Sequence, residues 1–85
     1  MKIEKKCWPE EFQKVLSGEK NFELRLADWE CKEGDVLVLR EWDPKTESYT
    51  GRAVEKKVKC VVKTMGQKWF SEEDIKKHGW QVIGF

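Results

Sequence analysis

The sequence predicts an α+β domain, a small and mostly antiparallel β-barrel closed by one or two short helices. Three observations carry that expectation. Several segments alternate apolar and polar residues with period two, only two short stretches carry helical spacing, and too few helices exist to cross over between parallel strands. One core is all the chain can hold, because 85 residues bury only about 60 to 65% of their unfolded surface. Residues 1–85 are therefore read as a single domain.

The elements follow in order. Pro9 suits a first helical turn, where its missing N–H would have no intrahelical partner, and Glu10 and Glu11 complement the positive end of the helix dipole. Phe12, Val15 and Leu16 fall on one helical face, and Gly18 is placed to end the helix, giving a helix over about Pro9–Ser17. "KNFELRLA" then alternates, with Phe22, Leu24 and Leu26 on one side and Asn21, Glu23 and Arg25 on the other, so a strand is expected there. After a Gly34-Asp35 turn, "VLVLREW" opens with four apolar residues, as a strand buried on both faces at its start would. "DPKTESYTG" has the chemistry of a longish hairpin loop, and the return strand is expected over residues 52–64. Ser71 with Asp74 resembles a capping box opening a short helix that stops at His78-Gly79, and "WQVIGF" is expected to end the chain as a strand.

Composition narrows the function classes. Lys plus Arg number 17 against 16 for Asp plus Glu, so the net charge of +1 exerts no global pull on nucleic acid or membrane. Any electrostatic partner must be met by a local patch, and one runs from Arg52 to Lys68, where Lys56, Lys57, Lys59 and Lys63 face only Glu55. Cys7, Cys31 and Cys60 are odd in number and widely spaced, which points to neither a zinc site nor a disulfide framework and suits a reducing, cytoplasmic setting. With one histidine and no Gly-rich phosphate loop, no metal and no cofactor is expected. The absence of a long apolar run argues against a membrane partner. Ser71, Asp74 and His78 are explained as helix-cap residues rather than as a catalytic triad.

The most informative stretch is "GEKNFELR" at residues 18–25. Glu23 and Arg25 stand about 7 Å apart along one strand face, close enough for their side chains to pair. Lys20 is at the strand's first residue, where its long side chain can swing to join them. Pairing alone would describe an ordinary exposed ion pair.

"GEKNFELR" matches the G-x-K-x-x-E-x-R pattern of the ASCH domains, a branch of the PUA-like β-barrels. The run from Trp8 to Arg52 is similar nearly throughout to a family of small single-domain ASCH-like proteins, with its W-P-x-x-F start, E-x-R-x-x-D, G-D turn, L-R-E-x-D-P and Y-T-G-R. The resemblance implies a cleft between the first helix and the sheet, with RNA or a nucleotide-like ligand as partner. In that setting Lys20 and Arg25 would hold phosphate or a base carbonyl, and Glu23 would accept from an exocyclic amine. Arg40 and Arg52 would extend a positive rim, and Trp8 or Trp29 would offer a stacking face.

Two other functions stay open. Some ASCH proteins resemble amidohydrolases acting on modified nucleosides, and others have been proposed as ribonucleases. Lys20 matches the lysine of the amidohydrolase branch as a catalytic candidate, whereas Glu23 stands where that branch has a threonine. Alternatively, Trp69, Phe70 and Trp80 could form an apolar docking patch in a protein-interaction or regulatory domain.

Overall fold

The structure, a computed structural model, describes residues 1–85. It is α+β, with element order β1 (Lys2–Cys7), α1 (Pro9–Leu16), β2 (Val36–Asp43), β3 (Ser48–Lys57) and α2 (Glu72–His78). The strands form one three-stranded sheet in the order β1-β2-β3. This sheet is open and mixed, since β1 runs parallel to β2 while β3 returns antiparallel. The expected barrel is therefore not closed.

The strand at Lys2–Cys7 was not anticipated, because lysines and a glutamate obscure its alternation. Only Ile3 and Cys7 mark its inner face as apolar, and the third inward residue is Lys5. The stem of Lys5 is covered by Trp29, with its ammonium 4.0 Å from the ring centroid, so the pattern is amphipathic in atoms rather than in residue names. A parallel partner needs a crossover, and residues 8–35, including α1, supply it. The expectation that too few helices existed for such a crossover is thereby corrected.

The first helix begins at Pro9 as expected, and Phe12 and Val15 are its buried residues. They meet Leu37 and Leu39 of β2 and Cys7 of β1 in the core, against which Ile3, Trp29, Val54 and Val58 pack. Pro44–Glu47 form a tighter turn than the long loop expected, with the Lys45 amide donating to Asp43 Oδ1 at 2.9 Å. As a result β3 starts at Ser48 and ends at Lys57, earlier at both ends than predicted.

Residues 20–26 and 80–85 carry no sheet ladder, so neither predicted strand forms, and the ladder also stops before residues 58–64. Alternation in these stretches is real, but pairing with a neighbour is what makes a strand. Ser71 caps α2 as read from the sequence, its hydroxyl accepting from the Asp74 amide at 3.2 Å. No helix is long and apolar enough to cross a membrane.

Candidate ligand-binding cleft

The cleft starts where α1 stops. Gly18, at φ 85°, turns the chain back, and the Lys20 amide donates to the Lys14 carbonyl at 2.9 Å. A residue with a Cβ adopts that backbone only with strain. The reversal lays the Lys20 side chain along the helix, where its ammonium donates to Glu11 Oε2 at 2.9 Å. That hydrogen bond, with the Lys20 and Lys14 charges, holds the Glu11 carboxyl below its ordinary range.

Glu23 lies between the two cations of the motif. Its Oε2 accepts from Arg25 Nε at 2.6 Å, and its Oε1 is 3.8 Å from Lys20 Nζ. At that distance Oε1 has an ion-pair neighbour without a hydrogen bond, and it is buried with no donor at all. Arg25 uses its remaining reach on the backbone, donating from Nη2 to the Lys6 carbonyl of β1. Thus Lys20, Glu23 and Arg25 do converge, and Arg25 ties them to the edge of the sheet. Polarity is reversed relative to a wet strand: Glu23 is mostly covered, whereas Leu24 and Leu26 are 72% and 81% exposed.

Two participants were missed in the sequence. Glu11 was assigned to the helix dipole alone, and nothing in a nine-residue separation flags its bond to Lys20. Cys7, the last residue of β1, is buried beneath the cluster. Burial chiefly pushes its thiol pKa up, the Glu23 charge adds to this, and Lys20 and Arg25 oppose it.

Around these residues opens a cavity of about 670 Å³. Val15, Leu37 and Leu39 contribute apolar surface to it, and Trp29 also lines it. Lys20, Glu23 and Arg25 line it together with Lys56, Lys57, Lys59 and Lys63 from the end of β3 and the segment after it. The basic run and the "GEKNFELR" motif, read separately in the sequence, thus border the same space. Glu23 is the only acidic side chain among the lining residues.

Of the other predicted ligand residues, Arg52, Arg40 and Trp8 are elsewhere. Arg52 is held by Glu41 through Nε and Nη2 at 2.9 and 2.8 Å, with its guanidinium 5.0 Å from the Phe12 ring centroid. Arg40 lies 3.8 Å over the Tyr49 ring, beside a separate shallow hollow. Trp8 is 60% exposed and does not line the cavity. Trp29 does line it, with Lys5 against its ring. No group of three or more His, Cys, Asp or Glu side chains is arranged to hold a metal ion.

Fold and cleft define a small α+β domain with a largely apolar concavity whose charged side chains are mostly cationic. The chain belongs to the family described as "Domain of unknown function (DUF3850)", whose profile matches residues 3–85. No curated protein and no solved structure matches it.

Proposed function

We propose that this domain is an ASCH-type, PUA-like module that binds RNA or a nucleotide-like ligand in the cleft beside α1. The observation that carries this reading is the lining of the 670 Å³ cavity: six cationic side chains and one carboxylate, with apolar surface from the sheet and helix. Such a lining suits a ligand with phosphate at one end and a planar, partly apolar base at the other. Lys56, Lys57, Lys59 and Lys63 supply charge for phosphate, and Lys20, Glu23 and Arg25 form the polar wall for the base. In this reading residues 20–26, 58–64 and 80–85, whose sequences are strand-like, complete the barrel when they pair.

The test is a tryptophan-fluorescence titration with short single-stranded RNA and with nucleotides at two salt concentrations, comparing the wild type with Arg25→Ala. Circular dichroism checks that the variant is folded. Saturable binding that weakens with salt and is lost in Arg25→Ala is expected, because phosphate contacts release counterions. Binding that ignores both salt and Arg25 would overturn the reading.

A second reading, hydrolysis of a modified nucleoside or of RNA, is favoured by one observation. Glu23 Oε1 is a buried acceptor without a donor, 3.8 Å from Lys20 Nζ, so one carboxylate oxygen stays free to accept a hydrogen bond from a water or a substrate hydroxyl beside the lysine. Turnover that survives both Lys20→Ala and Glu23→Gln would remove it.

A further inference from the structure

The sheet face opposite the core is covered by neither helix in the way α1 covers the inner one, and its chemistry changes along the strands. Lys2, Glu4 and Lys6 alternate with the inward residues of β1, and Val36, Val38 and Arg40 do the same in β2. Lys6 and Arg40 are register partners, and Trp42 is paired with Tyr49 across the hairpin. Two cations and two rings are therefore brought together at one end of this face.

The cations rest on the rings. Arg40 lies 3.8 Å from the Tyr49 centroid, and Lys6 Nζ lies 4.4 Å from the Trp42 centroid. Neither side chain makes a hydrogen bond, and the nearest carboxylate oxygen to Arg40 is Glu4 Oε2 at 3.8 Å, on a side chain that is itself mostly exposed. Ring contact holds each charge in place without neutralising it, so its N–H donors stay available. A hollow of about 310 Å³ lined by Glu4, Lys5, Lys6, Arg40 and Tyr49 opens there.

We infer that this outer face is a second contact surface, and that its occupant is single-stranded nucleic acid. Lys6 and Arg40 take successive phosphates, and the free face of the Arg40 guanidinium, stacked on Tyr49 from below, receives an unpaired base. Charge complementarity selects a polyanion, and the stacked guanidinium selects one with planar bases. This surface is separate from the cleft and stands or falls without it.

The experiment measures anisotropy of a fluorescein-labelled twelve-nucleotide oligouridylate across a salt series, with wild type, Arg40→Gln, Lys6→Gln and the double variant. Thermal unfolding confirms that each variant is folded. UMP binding, followed by tryptophan fluorescence, reports on the cleft. Each single variant should lose about 3- to 10-fold in oligonucleotide affinity, and the salt slope should fall by about 0.7 per lost phosphate contact. Wild-type affinity and slope in the double variant, or no binding of the oligonucleotide by the wild type, would overturn the inference. If UMP fails to bind while oligonucleotide affinity still depends on Arg40, the cleft reading fails and the outer surface stands.

Discussion

Arg52 and Glu41 meet through two parallel hydrogen bonds, Nε to Oε1 at 2.9 Å and Nη2 to Oε2 at 2.8 Å. Thr50 adds a third donor to Oε1 at 2.5 Å, and the carboxylate is almost wholly buried on the inner face of β2. The Arg52 and Thr50 hydrogen bonds lower the Glu41 pKa to about 2. The predicted ligand arginine is thus engaged in holding the hairpin against the core.

Acid stability follows from that pair. A carboxyl with a folded-state pKa of about 2 and an ordinary value of 4.5 contributes stability that is fully present above pH 4.5 and is lost as pH falls toward 2. Arg52→Gln should remove much of this pH dependence and lower stability at neutral pH, because a buried acceptor loses its charged donor. Urea unfolding of both proteins between pH 2 and pH 7 checks it, and identical acid profiles would contradict it.

The Cys7 thiol reports on the charges of the cleft. Glu23 raises its pKa while Lys20 and Arg25 lower it, so Glu23→Gln should bring the thiol pKa down and Lys20→Met should send it further up. Thiolate absorbance titrations in a Cys31→Ser, Cys60→Ser background measure both. Shifts in the same direction would show that the two side chains do not act on Cys7 through charge.

Gly84 is closely approached. A Cβ there would come within 2.5 Å of Phe22 Cδ1 and 2.6 Å of Asn21 Oδ1. Gly84→Ala should push the Phe22 ring aside and loosen the end of the chain from the "GEKNFELR" segment, with a global stability change under about 1 kcal/mol because that ring can move. Displaced Phe22 ring resonances in the NMR spectrum are the expected sign, and unchanged ring resonances would refute the contact.

The second helix stands alone, with no buried residue. Ser71→Ala removes its capping hydroxyl and should cost the helix about 1 kcal/mol. Since the core residues lie elsewhere, the loss should appear as fraying of α2 in amide exchange rather than as a lower global unfolding midpoint.

Local chemistry was the legible part of the fold. Pro9 and Gly18 bracket α1, Ser71 caps α2, and the apolar run at Val36 marks β2, because each signal acts within a few residues. Pairing was not legible. The parallel match of β1 to β2 joins residues separated by a helix and a long connection, and β1 hides its inner face under a lysine stem. For residues 20–26 the separation of Glu23 and Arg25 from Leu24 and Leu26 was legible, and the charges turn toward the protein while the two leucines turn away, although no strand forms. Lys20, Glu23 and Arg25 could be placed together from spacing, whereas Glu11 and Cys7 reach them only through the chain reversal at Gly18.

An open sheet leaves two rims of unpaired main-chain groups, each able to template the addition of another chain. Here both rims are charged: β1 carries Lys2, Glu4, Lys5 and Lys6, and β3 carries Arg52, Glu55, Lys56 and Lys57. On the β1 side Arg25 also engages the Lys6 carbonyl. A second copy docking edge to edge would bring lysine against lysine and have to displace that guanidinium, so Arg25, Lys56 and Lys57, which line the cleft, also discourage fibrillar stacking.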